Sequence, residues 1–277
     1  MTTVTSGRVL RGVIAGLLLI WIILELHSAA SVLRAGLGVD YRLYMESARR
    51  WLEGGSFYPA WQLAGPYVLQ EPAVLYPPLS VPFLAAFAFL PWPFWYLPPI
   101  IIIGYAVWRL RPGPWTRIGL LTLLAWPYVW TLTLFGNPSL WASAFLALAA
   151  LGYPTAAFVL LKPSLFPFAA FGVWHRTWWL GLAVVVAMSM LTLPLWSQYI
   201  TVMLNARGSQ ASIWYSLKDI PLLAIPLVAW AGRQASRWRG TRVFPVSGRG
   251  GTPPAASPEG PVRSRRAGAG AVDARNS

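Results

Sequence analysis

The chain has 277 residues, 56% hydrophobic and only 11% charged, and carries a net charge of +14. A soluble domain carries about 25% charged residues, so the composition argues against an ordinary water-soluble fold. The chain has no Cys, which excludes disulfides and thiolate metal sites.

Long apolar runs with 17 Trp and 11 Tyr point to a polytopic membrane protein, because these rings settle at the headgroup level. The first expected span runs from Gly12 to Leu33. Arg8 and Arg11 precede it, which puts the N-terminus on the cytoplasmic side. Ser28-Ala29-Ala30 resembles a signal-peptide cleavage site. The apolar stretch is long for a signal, and Glu25 and His27 interrupt its outer half, so a retained anchor is expected. His27 is expected to make an interhelical hydrogen bond.

Residues 34–74 form a polar interval with four Arg and four acidic residues. A loop without cationic excess suits the extracytoplasmic face. Within it Tyr41, Tyr44, Met45, Ala48, Trp51 and Leu52 recur at helical spacing, with Arg42, Glu46, Arg49, Arg50 and Glu53 opposite. Glu46 with Arg50 and Arg49 with Glu53 have the spacing of helical ion pairs. This predicts a short amphipathic helix lying in the interface and ended by Gly54-Gly55.

Further spans are expected at 75–91, 93–108, 117–135, 138–152, 154–174, 178–197 and 217–232. The fold class is therefore all-α, a polytopic transmembrane bundle of about eight spans. Several spans are interrupted by Pro, and broken helices survive in membranes where protein or a water-filled cavity satisfies the backbone. Simple alternation leaves Arg109, Arg111 and Arg117 outside, against the positive-inside rule, and a re-entrant segment is one resolution. Residues 1–232 form the membrane domain. Residues 233–277 hold nine Arg against Glu259 and Asp273 and lack an apolar period, which reads as a disordered basic cytoplasmic tail at an anionic lipid surface rather than a nucleic-acid binder.

Six carboxylates precede that tail, and Asp40 sits just beyond the first span. At the mouth of a bundle such a group can take a proton from an incoming hydroxyl. It can equally be a helix cap. Other polar residues within or beside spans are Glu25, His27, Tyr76, Asn137, Lys162 and the group Asn205, Arg207, Ser209, Gln210, Lys218 and Asp219. Lys162 lies deep in an apolar segment before Pro163 and needs an anion, either a protein carboxylate such as Glu25 or a lipid phosphate. His27 and His175 are the only histidines and lie far apart, so no metal site is expected; Mg²⁺ or Mn²⁺ on Asp40 with Glu71 or Glu46 is the less favoured alternative. The sequence shows neither a nucleotide-binding loop nor a Ser-His-Asp order.

Asp40-Tyr41 with Tyr44, Ala48-Arg49, Leu52, Gly54-Gly55 and Tyr58-Pro59 resembles the first-loop signature of glycosyltransferase family 87. Tyr76-Pro77-Pro78-Leu79 with Leu90-Pro91, and Leu161-Lys162-Pro163, resemble further motifs of that family in the same order. Gly136-Asn137 is similar to its Gly-Gln-x-Asn turn, without the Gln, and Asn205 to Ser209 stands where a late Asn-containing loop occurs. The resemblance covers residues 12–230. It implies a C-type integral membrane enzyme of the plasma membrane with an extracytoplasmic site. Such an enzyme moves a sugar, mannose foremost, from a polyprenyl-phosphate donor to a glycan or glycolipid acceptor, inverting the anomeric carbon. Asp40 then acts as general base. Lys162, Tyr44, Tyr76, Asn137, Arg207 and Lys218 are the candidate donor and substrate-binding residues, and no cofactor is needed. Family members typically carry several more spans after the late loop, so the chain is expected to be short for the family. That departure and the altered turn keep a non-catalytic accessory subunit or a lipid-linked-sugar transporter as the alternative.

Overall fold

A computed structural model describes residues 3–68, 73–207 and 217–241. The described chain is mostly helical. Helix α1 spans Thr3–Ala35, and its Gly12–Ala35 stretch is long and apolar enough to cross a membrane. Only 6% of that stretch is buried within the protein, so its apolar side chains face outward along most of its length. It joins the bundle near one end, where Ser28 Oγ meets Thr131 Oγ1 and donates to the Pro127 carbonyl at 3.1 Å. His27, expected to make this contact, is exposed; the interhelical hydroxyl bond comes from the next residue instead.

The chain then turns through Gly36 and Gly38, both at positive φ, into α2 (Val39–Leu52). The predicted amphipathic helix is therefore present. One face packs into the bundle: Tyr44, Met45, Ser47 and Ala48 are buried, and the helix lies against α4 (Val81–Ala85). The expected ion pairs with Glu46 and Glu53 are not made. Arg49 Nε donates to the Ala88 carbonyl at 2.5 Å, and Arg50 donates to the Ser56 and Phe57 carbonyls at 2.8 and 3.1 Å. Loop carbonyls without a helical partner need donors, whereas an exposed ion pair of this spacing contributes only about 0.3–0.5 kcal/mol. After α3 (Ala60–Ala64), the strand β1 (Tyr67–Val68) pairs in parallel with β2 (Ala206–Arg207).

Two of the expected spans form no long helix. Over 75–91 the chain is extended, then makes a 3-10 turn at Pro78–Ser80 and the single turn and a half of α4. Over 154–174 it makes 3-10 turns at Ala156–Leu161 and Pro163–Leu165 and then α9 (Phe166–Ala169). Pro77, Pro78, Pro82, Pro154, Pro163 and Pro167 explain both, since each lacks an N–H and disfavours helix in the residue before it.

The remaining elements are α5 (Pro93–Leu110), α6 (Pro114–Leu124), α7 (Pro127–Phe135), α8 (Ser139–Ala150), α10 (Arg176–Leu191), α11 (Leu195–Asn205) and α12 (Ile220–Thr241). The pairs α6–α7 and α10–α11 are bent by 59° and 88°. Among the described residues, one helix is long and apolar enough to cross a membrane, or up to three if each bent pair is one span.

The core forms around α8, which packs against α5 and α12. Its Ala142, Ser143, Ala144 and Ala147 are small and buried, which lets neighbouring backbones approach closely. Ser143 Oγ donates to the Leu222 carbonyl at 2.9 Å, tying α8 to α12. Midway along α12, Gly232 lies against the Thr116 side chain, where a Cβ would collide.

Candidate functional site

The site begins at the first turn of α2. The helix starts at Val39 after Gly38, and Asp40 lies in its first turn. The N-cap position itself belongs to Gly38. A carboxylate in the first turn is still favoured by the helix dipole.

Opposite it, α7 ends on Gly136 at φ 72, and the Asn137 N–H closes back onto the Leu132 carbonyl at 2.9 Å. This left-handed C-terminal turn suits Gly. Trp95 Nε1 donates to the Gly136 carbonyl at 2.8 Å and fixes the turn against α5. The chain reversal delivers Asn137 to Asp40: Asn137 Nδ2 donates to Asp40 Oδ2 at 2.6 Å. Residues 97 apart in sequence thus meet.

The string of polar contacts continues inward. Asn137 Oδ1 accepts the Ser139 backbone N–H at 3.0 Å, in a turn that opens α8. Ser139 Oγ accepts a hydrogen bond from Lys162 Nζ at 2.9 Å. Lys162 Nζ also donates to Asp219 Oδ2 at 2.5 Å. Asn137, Ser139 and Asp219 are all buried. Pro163 and the 3-10 turns around it leave Lys162 with extended backbone, pointing its side chain at the start of α8. Asp219 immediately precedes α12, where an anion meets the positive end of the helix dipole.

Tyr76 and Tyr44 stand beside this string. Lys162 Nζ lies 5.9 Å from the Tyr76 ring centroid, within cation–π range. The Tyr44 and Tyr76 rings pack edge to face at 4.8 Å. A small pocket next to Lys162 is lined by Tyr76, Ser80, Phe83, Trp141 and Phe158. The Trp141 indole N–H in it is buried and meets no acceptor among the described residues.

The predicted residues divide accordingly. Asp40, Asn137, Lys162, Tyr76 and Tyr44 gather in one region. Arg207 is exposed on β2, and Lys218 Nζ sits 5.5 Å from the Tyr128 ring. Asn205 has a structural task, donating to the Gln62 carbonyl at 3.0 Å and so clasping α11 to the first loop. Ser209, Gln210 and Glu71 lie outside the described residues. Glu46 is exposed, and no cluster of three metal-ligating side chains occurs among the described residues. Lys162 has a carboxylate partner within the protein, and it is Asp219 rather than Glu25. Sequence reasoning missed this pairing and the part played by Ser139. The signal was present, because Asp219 is the only carboxylate between Glu71 and the tail.

Burial raises the Tyr58 phenol well above its ordinary range and raises that of Tyr67 as well, so both stay protonated. Tyr58 Oη donates to the Tyr76 carbonyl at 2.8 Å and supports the segment leading to the site. Chemically, the region offers a half-buried carboxylate held by an amide, connected through a serine to a buried lysine–carboxylate pair. Comparison with family models, with curated proteins and with solved structures finds no match to this chain.

Proposed function

We propose that the protein is a membrane glycosyltransferase that uses Asp40 as general base and a polyprenyl-phosphate sugar, foremost mannose, as donor. The observation that carries this reading is the Asp40–Asn137 contact. Two segments that resemble separate motifs of glycosyltransferase family 87 meet there, with the third motif, at Lys162, two contacts away. Asp40 takes the proton of the acceptor hydroxyl as its oxygen attacks the anomeric carbon. The bond from that carbon to the phosphate oxygen breaks, the configuration inverts, and polyprenyl phosphate leaves. A correctly placed base contributes about 10²–10⁴-fold. Lys162 is the candidate cation for the departing phosphate, which must compete with Asp219 for it.

The membrane arrangement that fits has six crossings instead of eight. Helix α1 runs outward, so α2 and the loop to Leu90 are extracytoplasmic. With 75–91 no longer a span, α5 runs inward and delivers Arg109, Arg111 and Arg117 to the cytoplasmic side, in accord with the positive-inside rule. The bent pair α6–α7 returns outward and brings Asn137 back to Asp40. Helix α8 runs inward. Segment 154–174 is re-entrant from the cytoplasmic side: Gly181 of α10 lies against Pro154, whereas Lys162 reaches up to Ser139. Helix α10 runs outward, α11 lies along the extracytoplasmic face, and α12 runs inward until Gly232 meets Thr116 at the start of α6. Both termini are then cytoplasmic.

The Lys162–Asp219 pair also favours a second reading, an accessory subunit or lipid-linked-sugar transporter, because its cation is already neutralised. Asp40→Asn separates the two. It preserves size and removes the base, so transfer from polyprenyl-phosphate mannose to a membrane acceptor should fall at least about 100-fold with the fold intact. Near-normal transfer by this variant would remove Asp40 from the chemistry. Absence of transfer by the unaltered, folded chain would favour the second reading.

A further inference from the structure

Asn137 is held from both sides. Its Oδ1 accepts the Ser139 backbone N–H at 3.0 Å, and its Nδ2 donates to Asp40 Oδ2 at 2.6 Å. The Ser139 bond decides which way the amide faces, because a backbone N–H requires the carbonyl oxygen as its acceptor. The NH₂ group is therefore turned to Asp40. The turn itself is rigid, locked by the Leu132 carbonyl, Gly136 and the Trp95 indole. A neutral donor has thus been fixed against a carboxylate in a buried position where a rotating amide would have been simpler to solvate.

We infer that Asn137 is a positioning residue for Asp40, aiming its carboxylate and holding it anionic, rather than a donor-binding residue. The inference deepens the reading of Asp40 as general base and rests on it for its functional meaning. A hydrogen bond to the charged form favours that form, and such charge-assisted bonds are among the stronger ones. Tyr96 of α5 lies within electrostatic reach of Asp40, Tyr41 and Arg42. Arg42 Nη1 donates to the Leu37 carbonyl at 2.5 Å, and Tyr41 Oη donates to the Leu90 carbonyl at 3.3 Å. Both of these groups have partners at backbone carbonyls, whereas the Asn137 amide contacts the carboxylate itself.

The test is a direct titration of Asp40 in the detergent-purified full chain by infrared difference spectroscopy. The Asp40 carboxyl signal is the one missing in Asp40→Asn. In Asn137→Ala, Asp40 should protonate about one pH unit or more above its wild-type midpoint. Ser139→Ala keeps the backbone N–H and should leave the midpoint in place. Where Asn137→Ala does not fold, Asn137→Asp is read instead. It is isosteric and keeps the acceptor for Ser139, and two touching carboxylates should share a proton with a larger upward shift. An unmoved Asp40 midpoint in a folded variant overturns the inference. With polyprenyl-phosphate mannose as substrate, the acid limb of kcat/KM should move by the same amount, which a merely structural loss would not produce. A shifted midpoint in a chain that transfers no sugar supports the positioning role and counts against the transferase reading instead.

Discussion

Lys162 Nζ lies 2.5 Å from Asp219 Oδ2, with side chains only 11% and 2% exposed, and the contact joins the apex of a proline-broken segment to the start of α12. Breaking such a pair from one side strands a buried charge, which costs about 3–5 kcal/mol. Lys162→Met should therefore destabilise the purified protein strongly. The double variant Lys162→Met with Asp219→Leu should recover most of the loss, because two apolar side chains strand nothing. Thermal unfolding of the three proteins checks this. A single variant as stable as wild type would mean that the pair is not what holds α12 in place.

Retention of polyprenyl phosphate by those same proteins addresses a separate question. If a phosphate shares Lys162 with Asp219, Asp219→Asn should bind the lipid more tightly, since the competing anion is gone. Unchanged retention in Asp219→Asn and in Lys162→Met would exclude Lys162 from the donor site.

Gly136 is the hinge that presents Asn137 to Asp40. At φ 72 an L side chain is strained by about 1–2 kcal/mol, and a Cβ there would stand 2.8 Å from Tyr41 Cβ. Gly136→Ala should lower stability by a few kcal/mol and push α2 away from the α7–α8 turn. The expected result is a loss of transfer exceeding that of Asn137→Ala. An Ala variant with full stability and transfer would show that the turn tolerates a different path.

Gly232 and Thr116 bring the middle of α12 against the start of α6. Gly232→Val should destabilise by roughly 1–3 kcal/mol through overpacking. Adding Thr116→Gly should restore part of it. No recovery in the double variant would argue that the two helices do not meet there.

The six-crossing arrangement can be read with a membrane-impermeant thiol reagent, since the chain has no native Cys. In intact cells Ser56→Cys should label, whereas Gly113→Cys and Ser257→Cys should label only after lysis. Labelling of Gly113→Cys from outside would restore a crossing over 75–91 and overturn the six-crossing arrangement.

Hydropathy and local propensity were sufficient for a helix over 12–33 long and apolar enough to cross a membrane, and for the amphipathic α2, which stops just before Gly54-Gly55. These are short-range properties: apolar run length, 3.6-residue spacing and glycine at positive φ are written into consecutive residues. Asp40, Asn137 and Lys162 also stood out locally, as polar residues beside or within apolar segments. That they belong together was a matter of tertiary structure. The Asp40–Asn137, Ser139–Lys162 and Lys162–Asp219 contacts span 97, 23 and 57 residues, and no local period encodes such distances. The same holds for 75–91 and 154–174. Their apolar composition matches a span, but in each the prolines withhold backbone N–H groups, and only the surrounding helices determine that the freed carbonyls can be satisfied inside the bundle.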